Sequence, residues 1–256
     1  MGEGLQHDDG HSHVLASVIP SCVAYDPTYA YELAVIVHEG MRRMVAEQED
    51  VFYYITLLNE NYPHPALPDG AREGILKGLY LLRGAAAPGD RPRVQLAGSG
   101  AILREVVAAA ELLERDFAVD CENWSATSLT ELRREGMQAE RWNLLHPGEA
   151  PRVPYVQQCL AGHAGPLVVA TDYMKIVADQ IRPYVGDRRF VALGTDGFGR
   201  SDTREALRAF FEVDRHFIAV AALKALADDG AIAAARVAEA LERYGVRPDK
   251  RDPAAP

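Results

Sequence analysis

Val94-Gln95-Leu96-Ala97-Gly98-Ser99-Gly100-Ala101-Ile102-Leu103-Arg104-Glu105-Val106 is the stretch that decides the fold. Val94–Ala97 is an apolar run of strand length, Gly98-Ser99-Gly100 reads as a turn, and Ala101–Asp116 has helical spacing. Val119–Thr127 then reads as another strand, and Ser128-Leu129-Thr130-Glu131 as a capping-box helix start. Farther on, the apolar runs Leu167–Thr171 and Phe190–Leu193 flank a helical stretch, Tyr173–Val185. Strands that alternate with helices are joined by crossovers and therefore pair in parallel, so the expected class is α/β with a mostly parallel sheet. Two helices end the pattern, Asp214–Asp228 stopped by Gly230 and Ala231–Tyr244 stopped by Gly245, with a frayed tail expected from Arg247.

Working toward the N-terminus, Arg83–Arg93 (Arg-Gly-Ala-Ala-Ala-Pro-Gly-Asp-Arg-Pro-Arg) combines small residues, two prolines and charge, and reads as a linker. Ahead of it, Val51–Leu58 is a β-rich run ending in the polar cluster Asn59-Glu60-Asn61-Tyr62-Pro63. Ala30, Leu33, Ala34, Val37, Met41, Met44 and Val45 recur at helical spacing, which predicts an apolar face, with His38 on the solvated side. Asp26-Pro27 is the expected start of that helix, an N-cap acceptor followed by proline. Ser12–Val23 reads as extended.

Composition narrows the function classes. The 256 residues are 48% hydrophobic and 25% charged, as in a globular protein. A net charge of −10 argues against broad nucleic-acid binding, which needs clustered cations. No apolar run approaches the roughly 18 residues that span a bilayer, so no membrane association is expected. Three cysteines without a Cys-x-x-Cys pair, Cys22, Cys121 and Cys159, read as reduced thiols of a cytoplasmic protein.

Among the candidate sites, Gly98-Ser99-Gly100 could cradle an anion, but Leu103 stands where a dinucleotide fingerprint needs its third glycine, so a tight turn is the better reading. Gly194-Thr195-Asp196-Gly197-Phe198-Gly199-Arg200-Ser201-Asp202 reads as a turn into a helix capped by Asp202, with Arg200 as a candidate anion contact. No Walker, nucleophile-elbow or His-Glu-x-x-His pattern occurs. The opening segment, Met1-Gly2-Glu3-Gly4-Leu5-Gln6-His7-Asp8-Asp9-Gly10-His11-Ser12-His13, concentrates glycines, acids and histidines. A solvated loop, a metal site built on His7, His11 and His13, and an expression remnant are all open readings of it. Glu3 and His7 lie four apart around Gly4, a spacing that can set a carboxylate beside an imidazole for acid–base work.

This opening segment resembles part of the homodimeric-type pyruvate dehydrogenase component. The resemblance continues through Tyr25-Asp26-Pro27, Tyr53-Tyr54-Ile55-Thr56, Asn59-Glu60-Asn61-Tyr62, Glu140-Arg141-Trp142-Asn143, Pro151-Arg152-Val153-Pro154-Tyr155 and Gly194–Asp202. It implies the C-terminal portion of a longer, transketolase-like enzyme: the end of a pyrimidine-binding domain at 1–83, a linker at 84–93 and a transketolase C-terminal-type domain at 94–256. It further implies thiamine diphosphate and Mg2+ as cofactors of the complete enzyme, decarboxylation of pyruvate, and reductive acetylation of a lipoyl domain. His7 and Glu3 match the residues that face the substrate-derived adduct; His11, His13, Asn59 and Glu60 are expected near the entrance. Expected partners are the remainder of the enzyme or a companion chain, a second copy in a dimer, and the dihydrolipoyl acetyltransferase core. The family's Gly-Asp-Gly element has no counterpart, since Gly89-Asp90-Arg91 and Gly186-Asp187-Arg188 lack the second glycine, so the chain alone is expected to be inactive. Transketolase is the nearest rival, disfavoured by the absence of Lys or Arg in Leu57–Asn61. A non-catalytic assembly domain is the other.

Overall fold

A computed structural model describes residues 9–85 and 91–255. Two sheets organise the chain. The smaller pairs β1 (Cys22–Tyr25) in parallel with β2 (Phe52–Ile55), Cys22 opposite Phe52. The larger has five strands in the order β3-β5-β4-β6-β7: β3 (Tyr80–Arg83), β4 (Arg93–Gly98), β5 (Asp120–Ser125), β6 (Leu167–Ala170) and β7 (Phe190–Leu193). Four of these run parallel, and the edge strand β3 is antiparallel to β5. β3 precedes the 84–93 stretch in sequence yet hydrogen-bonds the larger sheet.

Helices cover both faces of the larger sheet. On one side α4 (Ile102–Phe117) and α9 (Arg215–Asp228) pack with Val94, Leu96, Cys121 and Val168, and α10 (Ala235–Arg243) adds Ala240. On the other, α5 (Leu129–Leu145), α6 (Tyr155–Leu160) and α7 (Lys175–Asp179) enclose Ala97, Trp124, Leu167 and Val169. A sheet buried on both faces explains why its strands are continuous apolar runs without alternation. Half of the expected capping box forms: Ser128 Oγ accepts from the Glu131 N–H at 3.0 Å, but Ser128 N donates to Gly78 O and the Glu131 carboxylate pairs with Arg134. Asp214 likewise caps α9, whereas α8 (Arg204–Phe210) is capped by Thr203 and not by Asp202.

The N-terminal region departs further from its sequence pattern. Ser12–Ser17 is a helix, α1, in place of an extended segment; the Asp9 carboxylate accepts from Ser12 N and Oγ and so satisfies the first helical N–H. The next helix, α2 (Ala30–Met41), begins four residues after Asp26. Its start is satisfied by Glu32, which accepts from Thr28 N at 2.6 Å and Tyr29 N at 2.9 Å. The helix continues into a π-helical turn, Arg42–Ala46. Glu32, Val35, Ile36 and Gly40 are its buried face, while Val37, Met41, Met44 and Val45 of the expected apolar face point outward. α3 (Ala71–Lys77) lies against α2 and leads into β3.

Candidate functional site

The carboxyl ends of parallel strands collect polar residues, because each strand delivers its last apolar side chain to the core and then turns. Asp26 follows β1, Thr56 follows β2, Ser99 follows β4 and Thr171 follows β6. The two sheets meet at these ends. Asp26 N donates to Thr127 O at 2.8 Å, Gly100 N donates to Asp26 O at 3.1 Å, and Thr28 Oγ1 donates to Gly100 O at 2.7 Å.

In the larger sheet, β4 is followed by a helix on one face and β6 by a helix on the other. The crevice between their carboxyl ends is the place where open α/β sheets bind ligands. Here the Asp26 side chain occupies it. Ser99 Oγ donates to Asp26 Oδ2 at 2.7 Å and lies 3.0 Å from Thr171 Oγ1. A Cβ on Gly100, whose φ is +48°, would meet the Asp26 carboxylate at 2.6 Å, so this glycine is required both for the turn and for the close approach. The anion that the Gly98-Ser99-Gly100 turn receives is thus the chain's own carboxylate.

The string continues into the smaller sheet. Thr56 Oγ1 donates to Asp26 Oδ1 at 2.8 Å, and His13 Nε2 lies 2.9 Å from Thr56 Oγ1. The His13 ring stands edge-on to Tyr173 and Tyr54, with centroids 4.6 and 5.6 Å away. Burial pushes Asp26 up to about 6 against the hydrogen bonds of Ser99 and Thr56, with the Glu32 and Asp9 charges adding to the rise. Burial pushes His13 down to about 4, partly offset by Asp9. The cavity beside them, lined by His13, Asp26, Ser99, Thr130 and Tyr173, is only about 10 Å³.

Around this seam two carboxylates tie the sheets together. Glu32, fully buried, also accepts from Tyr80 Oη at 2.7 Å and Ser125 Oγ at 2.6 Å, linking α2 to β3 and β5. At the rim Glu60 pairs with Arg104 at 2.7 Å and Arg208 at 3.0 Å, and Asn59 Oδ1 accepts from Arg204 at 2.8 Å. Arg208 also reaches Glu105, which Arg215 grips at 2.9 Å. Burial works to raise Glu60, but its arginine partners outweigh it and hold the carboxyl below the ordinary range.

Glu3 and His7 lie outside the described residues. Within the described residues, Gly10 O accepts from Met174 N at 2.8 Å, at the start of α7. Of the expected entrance residues, His11 is exposed and His13 buried, while Asn59 and Glu60 are held in the ion-paired rim. Arg200 stacks on Phe210 at 4.3 Å, and Asp196 accepts from Lys175 N, so the Gly194–Asp202 loop is anchored as a turn. Sequence reasoning did not pick out Asp26, Thr56, Ser99 or Thr171 as a group. The legible signal was their shared position, a polar residue immediately after an apolar strand.

Among the described residues no group of three His, Cys, Asp or Glu side chains could hold a metal ion. Gly186-Asp187-Arg188 precedes β7 and so lies at the opposite, amino edge of the sheet. The residues described here therefore do not fit a magnesium-bound diphosphate.

Residues 78–214 match the family model of the transketolase-like TK C-terminal domain. The chain belongs to that transketolase-like family. Residues 1–65 match a second model, the pyruvate dehydrogenase E1 component middle domain. The transketolase-like chain is 59% identical over 98% of its length to the pyruvate dehydrogenase E1 component of Pseudomonas aeruginosa. It is 54% identical over 98% of its length to the protein of the same name from Escherichia coli. It spans 28% of the length of each of these relatives. Among solved structures, a split-gene transketolase described as an inactive beta4 tetramer superposes with a TM-score of 0.60 at 19% identity, covering 87% of this chain and 64% of that one. Transketolase from Leishmania mexicana gives a TM-score of 0.60 at 14% identity, covering 100% of this chain and 29% of that one. At these identities the superpositions establish the shared fold. No helix among the described residues is long and apolar enough to cross a membrane.

Proposed function

We infer that this chain is the C-terminal portion of a pyruvate dehydrogenase component that, when complete, decarboxylates pyruvate on thiamine diphosphate and transfers the acetyl group to a lipoyl domain. The observation that carries the reading is the 59% identity, over 98% of the chain, to a pyruvate dehydrogenase E1 component. His7 and Glu3 are the residues assigned to the substrate: His7 to stabilise or protonate oxygen-bearing intermediates, Glu3 to position substrate. Gly10 O accepts from Met174 N, which follows the carboxyl end of β6, and this supports the assignment. The arginines around the Asn59–Asn61 loop are already paired with Glu60 or bonded to Asn59, which disfavours a sugar-phosphate substrate.

The diphosphate and Mg2+ would be held by other parts of the enzyme, so these residues alone bind no thiamine diphosphate and do not turn over pyruvate. The apolar side chains left uncovered on α2 and its π-turn are the proposed seat of that remaining portion or of a second copy. Further partners on this reading are the dihydrolipoyl acetyltransferase core and its lipoyl domains, in the cytoplasm.

The test is His7→Ala in the full-length enzyme assembled with the acetyltransferase core. Removal of an acid–base group is expected to lower overall activity by ~10²–10⁴-fold. Activity equal to wild type would instead favour a purely assembling role for this region. Calorimetry on the 256-residue chain is expected to show no heat of thiamine-diphosphate binding.

A further inference from the structure

The buried string across the seam has a direction, set by a single hydrogen. Thr56 Oγ1 lies 2.8 Å from Asp26 Oδ1 and 2.9 Å from His13 Nε2. Tyr25 O is a third, longer acceptor at 3.3 Å; a hydroxyl carries one hydrogen and donates to only one of these partners at a time. When Asp26 is ionised its oxygens can only accept; Thr56 donates to Oδ1, and His13 must present Nε2–H to Thr56. When Oδ1 carries a proton the order reverses: the acid donates to Thr56, the Thr56 hydrogen goes to Nε2 at 2.9 Å in preference to Tyr25 O at 3.3 Å, and the ring hydrogen resides on Nδ1. We propose that the protonation state of Asp26 selects the tautomer of His13 through Thr56.

The step balances with one added proton. It arrives at Nδ1 while the Nε2 hydrogen passes to Thr56 and the Thr56 hydrogen passes to Oδ1. The ring ends neutral, and the charge that disappears is that of the carboxylate. Two features favour the Oδ1 branch. The other oxygen faces Ser99, whose onward neighbour is the Thr171 hydroxyl. An imidazole nitrogen is a more basic terminus than a hydroxyl oxygen, so reversal toward His13 is the more favourable.

The surroundings place the proton on the acid and keep it off the ring. Asp26 faces Ser99, Thr56, the Glu32 charge from α2 and the Asp9 charge. His13 faces Thr56, Tyr54 and Tyr173, with Asp9 as its nearby charge. Burial raises the carboxyl to about 6 and lowers the imidazole to about 4, so between these values the acid is the protonated partner. His13 is the second residue of α1, directly after the segment that carries Glu3 and His7. The inference concerns this chain's own residues and holds or fails independently of the proposed activity.

The experiment is nitrogen-15 spectroscopy of the histidine rings in the 256-residue chain, titrated from pH ~8 to ~5. His13→Gln assigns the ring. The expected result is a neutral His13 that bears its hydrogen on Nε2 at the upper end and on Nδ1 at the lower end. Its midpoint falls at about 6, and the tautomer ratio changes ~tenfold or more. Thr56→Val cuts the string and is expected to abolish the exchange, and Asp26→Asn removes its pH dependence. A ring that keeps Nε2–H down to pH ~5, becomes doubly protonated on the way, or exchanges unchanged in Thr56→Val overturns the proposal. If Thr56→Val does not fold, the wild-type and Asp26→Asn titrations decide it.

Discussion

α4 and α2 both carry a helical apolar repeat, and they sit in opposite surroundings. In α4, Ile102, Leu103, Val106, Ala109, Ala110, Leu113 and Phe117 are all buried, because α9 and the larger sheet close over the whole stripe. In α2, the buried residues are Glu32, Val35, Ile36 and Gly40, while Val37 and Met41 are 43% and 60% exposed. Period alone locates a helix, but its core side is whichever side another element covers. The five-stranded region covers itself. The two-stranded region leaves the outer side of its helix, and Phe52 of β2, without cover from the described residues.

The largest effects should fall on the self-covered region and on the buried acid that joins the two. Leu103→Ala is expected to cost ~2–5 kcal/mol, measured by chemical denaturation, because Leu103 is fully buried against the sheet. Glu32→Ala should cost a comparable ~3–5 kcal/mol, since two backbone N–H groups and the Tyr80 and Ser125 hydroxyls lose their acceptor. A loss under ~1 kcal/mol for either would erase the contrast with the exposed stripe.

The seam gives a pH signature. The unfolded Asp26 titrates at 3.8 and the folded one at about 6, so its stabilising contribution is complete below 3.8 and is lost as pH rises through 6. The unfolded His13 titrates at 6.5 and the folded one at about 4, so stability from this group rises with pH across that window. In the wild type the two slopes oppose each other between about 4 and 6. His13→Gln should expose the Asp26 slope, with stability falling by up to ~3 kcal/mol as pH rises; Asp26→Asn should expose the opposite slope of similar size. Identical pH profiles for the two variants would refute the opposition.

Smaller effects belong to the rim and the exposed stripe. Glu60→Gln removes partly solvated pairs to Arg104 and Arg208 and should cost ~1 kcal/mol, less at high salt. Met41→Ser should change the stability of the chain by no more than ~0.5 kcal/mol, yet reduce self-association in sedimentation. A loss of several kcal/mol there would mean that the stripe is core after all.

Much of the architecture was readable from residue order. Val94–Ala97, Leu167–Ala170 and Phe190–Leu193 lie in strands of the larger sheet, and Ser128 and Asp214 start helices, because apolar runs and caps act over a few residues. Less local features were not readable. Asp26-Pro27 looks like a helix start, but the carboxylate is taken by Ser99, 73 positions away, and Glu32 satisfies the helix start instead. Ser12–Ser17 is helical with its first N–H, that of Ser12, held by Asp9, a contact that lies outside the apolar pattern of the segment.

By itself the order of amino acids determined the strand–helix alternation, the parallel sheet and the family resemblance, all of which rest on short-range periodicity and long motifs. Only the tertiary structure decided that Asp26 fills the crevice between β4 and β6, that His13 is buried beside it, and that the apolar face of α2 is left outward. Which groups lose their water depends on which elements pack together, and desolvation, more than residue identity, sets where a proton or an apolar face comes to rest.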